Sequence, residues 1–168
     1  LNSLHSNEPR AAMLRTEADV TALQALLEKM IAAKQLSSAD ARMLTEARSG
    51  SAQVRSEEDV LRWLAKEYGI GFTSLDDIEP DRHLLSLFPA RVLLKEELLP
   101  LKRDNGTVEV ATSRLFATQG LDSLKTLTGL RLKPVLATSE AIQREMKKRL
   151  GVGADTIGTL DEEKPFEV

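Results

Sequence analysis

Apolar residues recur every three or four positions between residues 16 and 70, in three separate stretches. Each stretch begins at a hydroxyl side chain that an aspartate follows three positions later, at Thr16, Ser37 and Ser56, and this pairing is typical of a helix N-terminus. Gly69 follows the third stretch, where a left-handed C-terminal cap belongs. The pattern predicts three helices that pack as a small bundle, because no one of them can bury its apolar stripe alone.

The pattern changes after residue 80, where short β-prone runs alternate with helical ones. Asn105-Gly106 separates two such runs and predicts a hairpin, because a tight turn there requires positive φ. Pro100 lacks a ladder donor, so we expect the first strand at a sheet edge. Short helices are predicted at 81–87 and 90–96, then a helix over 117–128, a strand over 131–137 and a helix over 139–150. The predicted fold class is α+β, a small helical bundle followed by a β-β-α-β-α domain.

These elements suggest a division of the chain. Residues 1–15 are predicted to be disordered or tag-like, residues 16–70 to form a helical docking module, and residues 81–150 to form the α+β domain. Between them, GFTSLDDIEP at 71–80 is an extended connector, either a hinge or a packed strap. Residues 151–168 have no apolar period and several acids, which predicts a linker to a further domain.

Composition excludes several kinds of function. The net charge of −3 argues against nucleic acid as the main partner. Cysteine is absent and only His5 and His83 are present, so thiolate and histidine metal sites are not expected. No apolar run is long enough to span a bilayer. A phosphate loop needs Gly-Lys, which does not occur, and we find no catalytic, cofactor-binding or metal-binding constellation.

The one candidate binding feature surrounds Trp63, the only tryptophan. It lies at the flank of the apolar stripe in the third predicted helix, which consists of Val60, Leu61, Leu64 and Tyr68. A tryptophan there either covers a neighbouring loop or anchors a partner, since tryptophan is enriched at interaction hot spots. With its polar neighbours Arg62 and Lys66 it is the predicted partner-binding surface.

Several phrases, in this order, resemble the N-terminal region of type II secretion and type IV pilus assembly ATPases, the general secretory pathway protein E-like family. They are KMIAAKQLSSADARMLTEA, SEEDVLRWLAKEYGIGFTSLDDIEPDRHLLSLFP, LLPLKRDNGTVEVATS and LTGLRLKPVLATSEAIQREMKKRLGVGAD. Together they cover roughly residues 20–157. In that family the segment precedes a linker and the ATPase core.

The resemblance implies a cytoplasmic adaptor, peripheral to the inner membrane, that is not itself an enzyme. Its expected partners are an inner-membrane platform protein with a cytoplasmic domain and its own downstream ATPase core. No cofactor is expected for this chain, since ATP and Mg²⁺ would belong to the core of the parent protein. Neither nucleic acid nor a direct membrane span is expected.

Two alternatives remain at this stage. Some members of the family bind cyclic di-GMP through a motif with Arg-Leu-Gly near the start of a helical repeat, usually in duplicate. Here Arg149-Leu150-Gly151 is the only such triplet, and it ends the last predicted helix. The other alternative is an unrelated small α+β enzyme that uses carboxylate chemistry.

Overall fold

A computed structural model describes residues 16–46, 54–76, 78–79 and 81–150. Contacts divide the chain into two compact units, residues 1–60 and 61–168. The predictions for residues 1–15, for the end of the second helix at 48–53 and for the linker at 151–168 lie outside the described residues. The predicted functional boundaries, with a connector at 71–80, stay a prediction.

The first unit contains helix α1 (Glu17–Ala32), helix α2 (Ser38–Glu46) and the start of helix α3 (Glu57–Tyr68). The predicted helix starts are confirmed by their caps. Thr16 Oγ1 accepts a hydrogen bond from the Asp19 N–H at 3.0 Å, and the Asp19 carboxylate accepts the Thr16 N–H at 3.3 Å. Ser37 Oγ accepts the Asp40 N–H in the same way, at 3.0 Å. Each cap satisfies donors that a helix N-terminus leaves without intrahelical partners.

Helices α1 and α2 contact each other, as the predicted bundle requires. The buried apolar side chains of this unit are Leu23, Leu27, Met30, Leu36, Leu44, Val54 and Val60. Buried Gln35, in the turn after α1, donates through Nε2 to Glu57 Oε2 at 2.6 Å. This hydrogen bond ties the α1–α2 turn to the first turn of α3 and satisfies a buried polar side chain.

The second unit is built on a three-stranded sheet of order β1-β2-β3. Strand β1 (Leu99–Asp104) pairs antiparallel with β2 (Thr107–Thr112), and β2 pairs parallel with β3 (Arg131–Leu136). Asn105 and Gly106 connect β1 to β2 with φ values of 54° and 81°, so the predicted hairpin turn is confirmed. Register shifts between Pro100 and Lys102, which marks a bulge in the edge strand.

Helices surround this sheet. Helix α4 (Arg82–Ser86) contacts β1, and helix α5 (Ala90–Glu96) contacts α6 (Gln119–Thr128), the crossover between the parallel strands. Helix α6 also contacts β3, and helix α7 (Ser139–Leu150) contacts β2. The largest fully buried side chains of this core are Phe88, Leu75, Leu93, Leu94, Leu99 and Leu124. The predicted β-β-α-β-α order and the α+β class are confirmed.

The segment after α3, residues 71–79, is called the strap below. Its first part pairs with the free edge of β3, where the Leu136 N–H donates to Gly71 O at 2.8 Å and the Thr73 N–H donates to Leu136 O at 2.9 Å. Leu75 is buried in the core, at 2% exposure. Of the two possibilities left by the sequence, this part of the chain is therefore a packed strap.

Both edge strands contain a proline. Pro100 lies in β1, as the sequence predicted for an edge strand. Pro134 lies in β3, two residues before Leu136, so its backbone faces the same outer edge as the Leu136 groups that pair with the strap. A missing N–H at that edge removes no hydrogen bond to β2, which explains how β3 accommodates a proline.

Candidate partner-binding surface

Helix α3 positions the three predicted residues. At about 100° per residue, Arg62, Lys66 and Trp63 lie within an arc of about 100° on the side of the helix away from its buried residues. The buried residues on the opposite side are Leu61, Leu64 and Ala65. Arg62 and Lys66 are exposed, and Trp63 is half-buried. We call these three side chains the outer face of α3.

Both ends of α3 are fixed by local hydrogen bonds. Ser56 Oγ accepts the Asp59 N–H at 3.2 Å, and the Asp59 carboxylate accepts the N–H groups of Ser56 and Arg55 at 3.1 and 2.9 Å. At the other end Gly69 has φ of 65°, as the sequence predicted for the C-terminal cap. A helix closed at both ends holds its outer face in a defined orientation.

Arg62 is positioned by an aromatic ring from outside the helix. Its guanidinium carbon lies 4.4 Å from the ring centroid of Phe72, which belongs to the strap. Such a cation–π contact contributes about 0.5–1 kcal/mol at an exposed site. The contact engages the flat face of the guanidinium rather than its in-plane N–H groups, which are the groups that recognise carboxylates. Sequence reasoning missed Phe72, since no periodicity joins it to α3.

A second aromatic contact lies at the end of the helix. Tyr68 shares the apolar side of α3, yet it is 47% exposed because it is the last helical residue. Its ring meets Phe116 edge to face, with centroids 5.8 Å apart and an interplanar angle of 80°. Phe116 was also missed, because it comes from the loop after β2. Both rings add aromatic surface beside the predicted site.

Glu97 forms a buried polar cluster elsewhere in the second unit. Its carboxylate accepts hydrogen bonds from Arg114 Nη2 at 3.0 Å, Ser139 Oγ at 3.0 Å and Gln143 Nε2 at 3.1 Å. Glu97 is 5% exposed, and its φ of 54° places it in the left-handed region. The donors come from the loop after β2 and from the first turns of α7. The cluster therefore fixes the N-terminus of α7 against the α5–β1 junction.

Arg149 of the Arg-Leu-Gly triplet is engaged within the fold. Its guanidinium lies 3.4 Å from the Glu145 carboxylate and 3.3 Å from that of Glu79, and its side chain is only 15% exposed. Gly151 lies outside the described residues. Among residues 16–46, 54–76, 78–79 and 81–150, no group of three or more acidic or histidine side chains is arranged to hold a metal ion. No helix in the same part of the chain is long and apolar enough to cross a membrane.

Comparison with known proteins places this geometry in a family. The MshEN domain model matches residues 68–153, just over half of the 168 residues. The chain is 28% identical over 148 residues to the type IV pilus assembly ATPase PilB of Myxococcus xanthus (strain DK1622). That match covers 81% of this chain and 26% of PilB, so the chain spans about a quarter of the relative's length.

Solved structures show the same fold. A structure of MshE with cdg matches with a TM-score of 0.53 and 17% identity, and the match covers 74% of this chain and 97% of that chain. The N-terminal domain of XpsE matches at 17% identity with a TM-score of 0.49, covering 81% of this chain and 98% of the other.

The class that the fold and these matches define is the N-terminal region of secretion and pilus assembly ATPases, as the resemblance predicted. The chain belongs to the MshEN domain family. Membership of that family leaves no ground for the alternative of an unrelated enzyme.

Proposed function

We propose that this chain is an adaptor that docks a secretion or pilus assembly ATPase onto the cytoplasmic domain of an inner-membrane platform protein. In this role it works in the cytoplasm, peripheral to the inner membrane, and connects the platform to its own ATPase core. The observation that supports the proposal most directly is the outer face of α3, where Arg62 is held over Phe72 beside exposed Lys66 and half-buried Trp63. Family membership supplies the setting.

The outer face has the features of a binding surface. Arginine and tryptophan dominate the binding energy of many interfaces. An arginine that is already held in place loses less conformational freedom when a partner binds it, so more of the contact energy appears as affinity. Lys66 lies one helical turn from Arg62 and adds a second positive charge, which favours a partner with acidic groups.

The docking proposal predicts that removing both cations weakens binding about tenfold. The variant is Arg62→Ala/Lys66→Ala, measured against the purified cytoplasmic domain of the platform protein by titration calorimetry. The matched control is Arg82→Ala/Lys125→Ala, which removes the same charge from exposed positions on α4 and α6. Emission from Trp63, the only tryptophan, reports contact at the same helix when a tryptophan-free partner is titrated in. Equal affinities for the wild type and the α3 variant would overturn the proposal.

In this role the chain contributes position rather than turnover. The purified chain is expected to show no ATP hydrolysis above a blank, because Gly-Lys, which a phosphate loop requires, does not occur in the sequence. A coupled phosphate-release assay with Mg²⁺ and ATP tests this. Turnover that scales with protein concentration and survives further purification contradicts it.

A second candidate function is binding of cyclic di-GMP, which the structure of MshE with cdg supports. Calorimetry with cyclic di-GMP separates the two candidates, since the second requires micromolar or tighter affinity. For Arg149 to contact the nucleotide it must leave Glu79 and Glu145, so binding through it would weaken when Arg149→Gln is introduced. Absence of heat at high ligand concentration removes this candidate.

A further inference from the structure

The strap touches three elements of the second unit. Near its start, Phe72 lies beneath Arg62 of α3, and the groups around it pair with Leu136 of β3. Further along, Asp76 lies 3.5 Å from Arg144 of α7, and Glu79 lies 3.3 Å from Arg149. One short segment is therefore in contact with the outer face of α3, with the sheet edge and with the last helix.

The two halves of the strap are held by different forces. The first half has main-chain hydrogen bonds and the buried side chain of Leu75. The second half is held by ion pairs that face water, since Asp76 is 71% exposed and Glu79 is 85% exposed. Exposed ion pairs are weak and are screened by salt, whereas buried apolar contacts are not. The second half is therefore the easier part to release.

Leu75 connects the two halves in an unfavourable backbone conformation. Its φ is 68°, in the left-handed region, which costs a residue other than glycine roughly 1–2 kcal/mol. The Leu75 N–H donates to Thr73 Oγ1 at 3.1 Å, and burial of the side chain holds the residue there. Strain of this kind is relieved when the segment opens, so it offsets part of the energy that keeps the strap in place.

We propose that the strap is a releasable coupler between the outer face of α3 and helix α7. The Asp76–Arg144 and Glu79–Arg149 pairs, here called the latch, close it. This inference rests on the proposed docking function, because a partner that draws Arg62 away from Phe72 removes one of the contacts that hold the strap. Contacts on one short segment open together as a local unit, so loss of the first weakens the latch. By linkage, an open latch also favours release of Arg62 to the partner.

Hydrogen exchange of the whole chain without any partner tests the latch. The variant is Asp76→Asn/Glu79→Gln, and the reporters are the amides of Thr73 and Leu136, which donate the two strap–sheet hydrogen bonds. Their exchange should accelerate roughly two- to tenfold at low salt, and 1 M NaCl should reduce the difference from wild type. The control Asp122→Asn/Glu140→Gln makes the same charge change at exposed positions on α6 and α7. Equal reporter rates in the latch variant and the control overturn the proposal.

The coupling itself is tested with Arg62→Ala, compared with Lys66→Ala on the same face. Arg62→Ala should accelerate exchange both at Thr73 and in the last two turns of α7, whereas Lys66→Ala should change neither. Amides of Val108 and Val110 in the central strand report global unfolding and should stay unchanged, which separates local release from lost stability. An Arg62→Ala effect that never reaches α7 contradicts the coupler. Because no partner is present, a failed docking experiment leaves this result intact, and the reverse also holds.

Discussion

Replacing Glu97 with alanine is expected to lower the free energy of unfolding by about 3 kcal/mol. The change removes a carboxylate that is 5% exposed and accepts from three side chains. Ser139 and Gln143 then lose their acceptor, and the Arg114 guanidinium loses its counter-ion. The estimate lies at the low end for a broken buried ion pair, because the Arg114 side chain is 32% exposed and water can partly solvate it. Urea unfolding followed by far-UV circular dichroism measures the loss.

Two further variants show whether the charge is responsible. Glu97→Gln keeps the shape and one acceptor oxygen but loses the charge, so we expect a loss of about half the alanine value. Glu140→Ala removes an exposed acid from the first turn of α7 and should change stability by less than about 0.5 kcal/mol. If Glu97→Ala also falls within that range, the carboxylate does not hold α7 in the way described.

Gly120→Ala is expected to destabilise the protein by about 1–2 kcal/mol. A β-carbon at this position would lie 2.8 Å from both Cβ and Cγ of Glu96, so helices α6 and α5 must separate or distort to admit it. The sign is informative, because the same substitution at an open helical site stabilises by up to about 1 kcal/mol. Denaturant unfolding with an unchanged m-value measures the effect.

The contact with Glu96 can be isolated by a double-mutant cycle. Glu96→Gly removes the atoms that a new methyl group would meet, so Gly120→Ala should cost less in that background than in the wild type. Ser123→Ala, at an exposed position on the same helix, is the control for helix propensity and should be neutral or slightly stabilising. A stabilising Gly120→Ala would show that α5 and α6 are not in such close contact.

The elements of this fold were predictable wherever the signal is local. Hydroxyl–aspartate pairs mark helix starts because both partners lie within one turn, as at Thr16 and Asp19. Asn105-Gly106 marks the hairpin because two consecutive residues must adopt positive φ. The outer face of α3 was also assembled from one helix, so the side of the helix on which Trp63 lies followed from periodicity alone.

Features built from distant residues were not predictable. The donors to Glu97 are 17, 42 and 46 positions away in the chain, and the sequence shows only an acid pair at residues 96–97. The strap has neither helical nor strand periodicity, so its pairing with Leu136 and its contact with Arg62 depend on the folded sheet. Tertiary contacts, rather than local preference, decide both.

Because a proline occupies each outer strand, neither side of the sheet offers an unbroken row of main-chain donors. Strand addition, which would extend the sheet with a peptide or with a second copy of the chain, is therefore disfavoured at both sides. A binding protein must instead recognise side chains presented by helices. We accordingly expect selectivity in this domain to change with single surface substitutions, while the backbone framework stays common to all such variants.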